Sequence, residues 1–316
     1  MRMQTSLLAG AALALMTAAA GAQTAVTIGM SGWTGFAPLT LAKEAGLFKN
    51  HGLDVTIKKI PQKDRHLAMA SGDIQCAATT VETWIVWTAN GIPTTQIFQL
   101  DKSYGADGMI VKPNITKITD LKGKTVAASA PGTAPYFTLA WFLKKNGLSV
   151  KDVTVVNLEP QAAANAMIAG TANLDAAMTY EPYLSAVRDK PEAGKIIATT
   201  LDYPMIMDTF GCTPKFLADN PKAAKALADG YFDAVAMIAA DPKKSFEIMG
   251  ADVKQPAEKF EASQKYLRWQ DRAANQKFFA GEHAAFSKEA ADLLLEAGII
   301  KQLPDMTKLA DTQFIK

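Results

Sequence analysis

The sequence predicts an α/β protein with two lobes of similar plan, and three observations support this prediction. The 316 residues are too many for one small core and too few for three ordinary domains. Hydrophobic residues make up 49% of the chain and charged residues 20%, which excludes a disordered protein. Strand-like and helix-like segments follow one another in the order β-loop-α-β, which builds a parallel sheet, and this order occurs in two successive blocks.

The first block begins with an alternating, β-branched strand at 25–30 and a loop punctuated by glycine at 31–36. Pro38 suits the first turn of a helix, Gly52 ends that helix, and a second strand follows at 53–57. The remaining expected segments are a helix at 64–70, a strand at 74–78, a helix at 81–90, and strands at 95–100 and 108–111.

The second block has the same plan, with a turn and strand at 121–128 and a helix that ends near Gly147. A strand at 153–158, a helix at 161–169 and a strand at 174–179 follow. From Asn220 onward the pattern is helical, since Asn220 suits an N-cap and Pro221 a first helical position. The expected helices there lie at 220–238, 245–249, 257–266, 275–286 and 288–297.

Residues 1–22 have the pattern of a cleaved secretory signal. Arg2 precedes an uncharged apolar stretch at 7–20, and small residues stand before Gln23. A membrane anchor would need about 20 continuous apolar residues, more than this stretch contains. We therefore expect the mature protein in an extracytoplasmic space, most simply a bacterial periplasm.

Charge and composition exclude several classes of function. The formal net charge of +2 gives no reason to expect nucleic acid or an anionic membrane as a partner. Two cysteines and three histidines are too few for a metal cluster, so we expect no metal and no cofactor. The histidines stand among charged or helical segments, where solvated side chains are expected. Cys76 and Cys212 could form a disulfide or could both be buried as free thiols, and the sequence leaves both open.

Motifs of common catalytic sites are absent from the sequence. It contains no Gly-x-Ser-x-Gly, His-Glu-x-x-His or Cys-x-x-Cys motif and no phosphate-binding Gly-x-x-x-x-Gly-Lys loop. We therefore predict no catalytic residue and look for a binding site. In open α/β sheets such sites lie at the carboxyl ends of the strands.

Four loops that follow predicted strands carry residues suited to a small polar ligand, because aromatic walls with a few fixed polar groups are typical of such clefts. The candidates are Trp33 and Thr34 in the first loop, Thr80, Glu82 and Trp84 in the second, Ser129, Gly132 and Thr133 in the third, and Tyr180 and Glu181 in the fourth. In the third loop, unpaired N–H groups of the following helix would point toward an acceptor. Two alternatives stay open: Glu82 could serve only the helix dipole, and Tyr180 with Glu181 could pack near a hinge.

Several motifs resemble those of periplasmic substrate-binding proteins of the nitrate, sulfonate and taurine class of ABC importers. They are GLF at 46–48 with HGLDV at 51–55, GDIQ at 72–75, LKGKTVA at 121–127, DAA at 175–177 with YEPYL at 180–184, and the Asn-Pro and Asp-Pro pairs at 220–221 and 241–242. The similarity spans nearly the whole mature chain. Relatives of this class carry sulfonates, nitrate, thiamine precursors and amide- or guanidine-like nitrogen compounds.

The resemblance implies a type II periplasmic-binding-protein fold, in which two crossing strands join the lobes. One lobe would comprise 24–110 and 208–316, the other 111–207, with crossings near 108–112 and 203–208. It also implies a monomer that closes on a small solute and docks on an inner-membrane permease driven by a cytoplasmic ATPase. Asp208 would then join the four loops at the cleft.

One departure from the family concerns the third loop, where many relatives read Gly-Ser/Thr-x-x-His. In this chain the histidine position is either filled by Tyr136 or lost. No arginine lies in the four loops, although arginine would be the strongest clamp for an anion. Carboxylates are frequent near the expected cleft: Glu82, Asp101, Asp107, Glu181 and Asp208. We therefore expect a nitrogen-bearing or zwitterionic solute.

Three alternatives remain at this point. One is a solute sensor that hands its ligand to a receptor instead of a permease. A plain anion such as an alkanesulfonate, taurine or nitrate could be held by backbone and hydroxyl donors. A pyrimidine-precursor-forming enzyme shares the fold, but it uses clustered cysteines and a histidine that the predicted cleft lacks. We accordingly expect a binding protein and not an enzyme.

Overall fold

The structure, a computed structural model, describes residues 23–316. The predicted leader at 1–22 lies outside the described residues. Eleven strands and thirteen α-helices form in the described part. The strands are β1 Thr24–Met30, β2 Leu53–Lys59, β3 Cys76–Thr80, β4 Thr95–Ser103, β5 Asp107–Val111, β6 Thr125–Ala128, β7 Thr154–Asn157, β8 Ala176–Tyr180, β9 Lys195–Thr199, β10 Met207–Cys212 and β11 Leu267–Trp269.

The helices fill the intervals between these strands and cover the sheets. They are α1 Ala37–Glu44, α2 Leu47–Asn50, α3 Gln62–Ser71, α4 Val81–Ala89, α5 Ala134–Lys145, α6 Pro160–Ile168, α7 Tyr183–Arg188, α8 Pro214–Asp219, α9 Pro221–Ala240, α10 Pro242–Asp252, α11 Ala257–Ser263, α12 Arg272–Lys277 and α13 His283–Glu296. No helix within 23–316 combines the length and the apolar character needed to cross a bilayer.

The strands form two sheets with matching order, which confirms the predicted two-lobe α/β fold. The first sheet has the order β2-β1-β3-β10-β4-β11, and the second has the order β7-β6-β8-β5-β9. In each sheet three strands are parallel, and the next is antiparallel to them. We call the part built on the first sheet the first lobe and the part built on the second sheet the second lobe.

Two connections join the lobes, and each brings in the antiparallel strand. The chain leaves the first sheet after β4 and enters the second with β5, so the first connection is 104–106. It returns from β9 to β10 through 200–206. Since β5 pairs with β8 and β9, residues 107–110 lie in the second sheet, although the sequence had placed them in the first lobe.

A disulfide between Cys76 and Cys212 resolves the alternative that the sequence left open. The two residues lie directly opposite each other in the antiparallel β3–β10 pair, and both are fully buried. They are 136 residues apart in sequence, so only this strand pairing brings them together. The bond therefore ties the returning chain to the first sheet.

The structure differs from the sequence predictions at several points, and strands β9 and β11 as well as β10 were not predicted. His283 is buried, only 7% exposed, against the rings of Phe278 and Phe279, and burial lowers its pKa to about 4, so it is not a solvated residue. The sequence predicts two helices, at 275–286 and 288–297, with a break between them. This break is wrong, because α13 continues through it. Strand β10 was missed because its short sequence mixes polar and apolar residues that are nearly all buried.

Candidate functional site

A narrow cavity lies between the two lobes, beside both connections. Its space measures about 280 Å³, which includes a part open to solvent. Its walls come from the carboxyl ends of β1, β3 and β8, from α3, and from the first residues of β5, β10 and α5. This is the position at which open α/β sheets bind ligands.

Four of the predicted site residues line this cavity, and they come from four separate parts of the chain. They are Trp33, Thr80, Tyr180 and Asp208. The Trp33 and Tyr180 rings meet edge to face across the lobes, with centroids 5.4 Å apart. The two rings thus form an aromatic wall that closes one side of the cavity.

The other candidates of the first two loops are buried and do not line the cavity. Thr34 is fully buried, and its backbone N–H donates to the Glu181 carbonyl at 3.4 Å. The Trp84 ring packs edge to face on Trp87, with centroids 5.0 Å apart, inside the apolar core. Glu82 is also buried, at 1% exposure, and neither carboxylate oxygen has a hydrogen-bond partner among the described residues.

The third loop contacts the cleft mainly through its backbone. Ser129 Oγ donates to the Leu158 carbonyl at 3.4 Å, and Thr133 Oγ1 donates to the Ala130 carbonyl at 2.7 Å, so both hydroxyls serve their own lobe. The Gly132 carbonyl accepts from Thr83 across the lobes at 3.4 Å. Ser129, Gly132 and Thr133 therefore lie beside the cavity and not in its lining.

Glu181 is turned away from the cavity. Its carboxylate is fully buried, accepts a hydrogen bond from the Ser185 backbone N–H at 3.1 Å and forms an ion pair with Arg188. Burial raises the pKa of Glu181, and the Arg188 charge opposes this. Of the two alternatives for this residue, the structure supports packing near a hinge.

The sequence reading missed a group of lining residues, above all Arg65 and Gln62. Both lie on α3, which follows β2 after only two residues, so a helix and not a loop presents them. The signal was available, since the carboxyl end of β2 is one more position at which ligands bind. The remaining residues of the lining are Ser31, Phe36, Asp107, Ala134 and Ile206, and of these Asp107 had been expected near the cleft.

Gln62 bridges the two lobes at the cavity. Its amide nitrogen donates to Thr79 Oγ1 at 2.7 Å and to Thr83 Oγ1 at 2.9 Å. Its amide oxygen accepts from the backbone N–H of Ala134, the first residue of α5, at 3.0 Å. From the sequence we expected the N–H groups at the start of α5 to face a ligand. Gln62 accepts the hydrogen bond from one of them instead.

Arg65 supplies a buried positive charge at the cavity. The residue is 1% exposed, and its Nε donates to the Ile60 carbonyl at 3.0 Å while Nη1 donates to the Ala78 carbonyl. Burial lowers its pKa to about 10, which still leaves it charged at neutral pH. The remaining nitrogen, Nη2, is buried and has no hydrogen-bond partner among the described residues. It is therefore a donor available to an acceptor in the cavity.

Buried carboxyl groups supply the opposite charge. Asp107 and Asp208 line the cavity and are at most 4% exposed. Burial raises the pKa of Asp107 to about 7, and burial followed by repulsion from Asp101 raises the pKa of Asp208 well above its ordinary value. Asp107 Oδ2 has no hydrogen-bond partner among the described residues. A cationic group in the cavity would favour the ionised form of both carboxyls.

Asp101 holds the aromatic wall in place from behind. Trp33 Nε1 donates to both carboxylate oxygens of Asp101 at 3.3 Å. A Cβ atom at Gly35 would lie 2.2 Å from Asp101 Oδ2 and from Trp33 Nε1, so only glycine permits this contact. Burial raises the pKa of Asp101 to about 8. The wall therefore rests on one buried carboxyl group and one glycine.

The arrangement as a whole suits binding through opposite charges. Within the lining, all of which lies in the described part of the chain, no lysine, histidine or cysteine is present. Residues 23–316 also contain no group of three or more His, Cys, Asp or Glu side chains able to hold a metal ion. The lining has instead one available cationic donor, two carboxyls and an aromatic wall.

A relative of known binding activity aligns with part of this chain. The taurine-binding periplasmic protein of Escherichia coli strain K12 is 29% identical over 182 residues. The alignment covers 55% of this chain, and the chain spans about half, 54%, of that relative.

Solved structures share the fold over nearly the whole chain. The alkanesulfonate-binding protein SsuA of Xanthomonas axonopodis pv. citri, bound to MOPS, superposes with a TM-score of 0.78 at 18% identity, covering 93% of this chain and 100% of that one. The periplasmic nitrate-binding protein NrtA of Synechocystis PCC 6803 superposes with a TM-score of 0.75 at 19% identity, covering 92% of this chain and 87% of that one. These likenesses confirm the predicted periplasmic-binding-protein fold.

The family model described as "NMT1/THI5 like" matches residues 33–245, more than half of the chain and most of the cavity lining. With its two matching sheets and the cavity between them, this chain belongs to the NMT1/THI5-like family.

Proposed function

We propose that this protein is the solute-binding component of an ABC importer and that its solute is a small zwitterion. The observation that carries the proposal is the pair of unsatisfied groups of opposite charge in one cavity, Arg65 Nη2 and Asp107 Oδ2. A buried charged group without a partner is costly, so a ligand with both charges would complement the two groups at once.

In the proposed complex, the acidic end of the solute accepts from Arg65 and the ammonium end donates to Asp107 and Asp208. The Trp33–Tyr180 wall supports the ammonium end through cation–π contact. Taurine, 2-aminoethanesulfonate, has both ends, and a taurine-binding protein is among the relatives. From the sequence we grouped taurine with the small anions, but its ammonium group makes it a zwitterion.

A plain anion is the alternative, and Arg65 is the observation that favours it. Such a ligand would satisfy Nη2 but would leave Asp107 and Asp208 against a negative charge or force them to stay protonated. An enzyme of the same fold is less well supported, because the described lining residues include no lysine, histidine or cysteine.

The wider role is proposed on the family and the fold. We propose that the leader at 1–22 directs the protein to the periplasm and that it works there as a monomer. The two lobes would close on the solute, and the closed protein would dock on an inner-membrane permease with a cytoplasmic ATPase. No nucleic acid, cofactor or metal has a part in this proposal.

Calorimetry with three matched compounds tests the proposal on the purified mature protein. Taurine has both charged ends, ethanesulfonate lacks the ammonium and ethylamine lacks the sulfonate. We expect taurine to bind at least about 100-fold more tightly than either single-charge compound, since each loses one buried ionic contact. Equal affinity for ethanesulfonate would support the plain anion, and no binding of any of the three would contradict the zwitterion proposal.

A further inference from the structure

The loop after β8 joins the cavity to the connection between the lobes. Tyr180 lines the cavity, and the next residue, Glu181, has its backbone in contact with both lobes. The Glu181 N–H donates to the Ala106 carbonyl at 2.9 Å, and the Glu181 carbonyl accepts from the Thr34 N–H at 3.4 Å. One residue therefore links a cavity wall, the first connection and the first-lobe cleft loop.

Arg188 holds this residue from the other side. The guanidinium forms an ion pair with the buried Glu181 carboxylate, and Nη2 donates to the Gly105 carbonyl at 2.9 Å. Its carbon Cζ lies 4.0 Å from the centre of the Tyr266 ring, which stands immediately before β11 of the first sheet. A single side chain of the second lobe thus contacts its own loop, the connection and the first lobe.

The connection that Arg188 contacts is itself well held. Gly105 has φ +95°, a backbone conformation that residues with a Cβ atom rarely adopt. Its N–H donates to Thr200 Oγ1 at 2.8 Å, and Thr200 belongs to the second connection. The Tyr104 N–H donates to the Tyr266 carbonyl at 2.7 Å. Both connections and the Tyr266 segment form one bonded unit on which the guanidinium rests.

We propose that Arg188, held by Glu181 and stacked on Tyr266, is a positioning residue that clamps the two lobes in the closed arrangement. The clamp rests on the proposed function, because closure matters only if the cavity receives a solute. The clamp gives Glu181 a role outside the cavity lining, because Glu181 holds Arg188 in place. Tyr180, the residue before Glu181, faces the cavity. The clamp acts in the protein itself, so part of the population is closed in buffer alone.

A merely local role for Arg188 is the competing explanation, in which it only neutralises Glu181. The Tyr266→Leu variant separates the two, because it removes the stacking ring and leaves the Glu181–Arg188 pair intact. Tyr266→Phe keeps the ring and is the matched control. Lys259→Ala is a second control: the Lys259–Asp189 pair also crosses between the lobes at 3.0 Å, but both side chains are 60% exposed, and such pairs contribute little.

The experiment measures the distance between the lobes with spin labels at Lys151→Cys and Lys222→Cys, two exposed sites on different lobes. The native cysteines do not interfere because they form a disulfide. In buffer alone, we expect a short-distance population whose ratio to the long-distance population falls about threefold in Tyr266→Leu, as loss of a cation–π contact implies. The ratio should not change in Tyr266→Phe or Lys259→Ala.

Equal ratios in Tyr266→Leu and the unsubstituted protein, or no short-distance population in the latter, would overturn the clamp. Thermal melting shows whether each variant is folded. The double variant Glu181→Gln/Arg188→Gln gives a second reading, because it removes the ion pair without leaving a lone buried charge, and its ratio should fall at least as far. None of these readings uses a solute, so failure of taurine to bind would refute the proposed function alone.

Discussion

The two lobes share a strand order but contribute unequally to the cavity. The first lobe supplies most of the lining, including the cation Arg65, the carboxyl Asp208 and the ring of Trp33. The second lobe supplies only Asp107, Ala134 and Tyr180. The first sheet also carries the disulfide and one additional strand.

This difference indicates a division of work between lobes of the same plan. The disulfide cross-links the first lobe, which also holds Arg65 and Asp208. We therefore expect the first lobe to determine which solute binds. The second lobe adds one carboxyl and one ring, and its loop reaches the Arg188 contacts, so we expect it to determine how firmly the cleft closes. The predictions below test this comparison, beginning with the largest expected effect.

Removal of the disulfide should destabilise the first lobe strongly. For the Cys76→Ala/Cys212→Ala variant we expect a loss of about 4 kcal/mol in the free energy of unfolding, because the bond closes a long loop in the unfolded chain. Urea denaturation with and without a reducing agent measures this, and the reducing agent should not affect the variant. An unchanged midpoint in the variant would contradict the stapled first lobe.

Substitution of Arg65 should remove most of the binding. Arg65→Met keeps the aliphatic stem but loses the charge, so we expect taurine affinity to fall about 100-fold, or about 2.7 kcal/mol. Calorimetry measures this effect, and Arg268→Met, an exposed arginine of β11, is the control. Unchanged taurine affinity in a folded Arg65→Met protein would show that the Arg65 charge does not bind the solute.

The buried carboxyl Glu82 should make stability depend on pH. Burial raises its pKa to about 8 from an ordinary value of 4.5, so the folded protein keeps a proton that the unfolded chain releases. This stabilising contribution is complete below the unfolded pKa and is lost as pH rises through about 8. We expect unfolding free energy to fall by about 2 kcal/mol from pH 6 to pH 9 on this account.

Glu82→Gln should reduce this pH dependence, because the amide does not titrate. Thermal melting of both proteins at several pH values provides the measurement. Asp101 and Asp107 also have raised pKa values and will leave part of the slope in the variant. An identical slope in both proteins would show that Glu82 is already ionised in the folded state.

Substitution of Asp107 tests the smaller contribution of the second lobe. Asp107→Asn removes the negative charge at nearly constant shape, so taurine affinity should fall about tenfold, while affinity for ethanesulfonate should rise. Glu192→Gln, an exposed second-lobe carboxylate, is the control. A loss of affinity for both compounds would mean that Asp107 does not distinguish the ammonium end.

Much of this organisation could be predicted from the sequence, because strand and helix periodicity is local. The segment around 25–30 and the helix at 81–90 were close to the observed β1 and α4. Placing ligand residues after strands found Trp33, Thr80 and Tyr180, since the carboxyl ends of parallel strands meet at one edge.

The rest depends on contacts between distant segments. Glu82 and Trp84 follow β3 as expected, but the way α4 packs turns both toward the core. The approach of Cys76 to Cys212 is decided by the pairing of β3 with β10. The position of Arg65 after β2 was a usable signal, but whether its side chain faces the cavity depends on how β1, β2 and β3 assemble. Sequence patterns do not record which way such a side chain faces.

The crystal structure of the protein with taurine tests the central claim most directly. We predict that the sulfonate accepts a hydrogen bond from Arg65 Nη2 and that the ammonium nitrogen lies within hydrogen-bonding distance of Asp107 or Asp208. A sulfonate placed away from Arg65, an ammonium without a carboxylate partner, or an empty cavity at saturating taurine would contradict it.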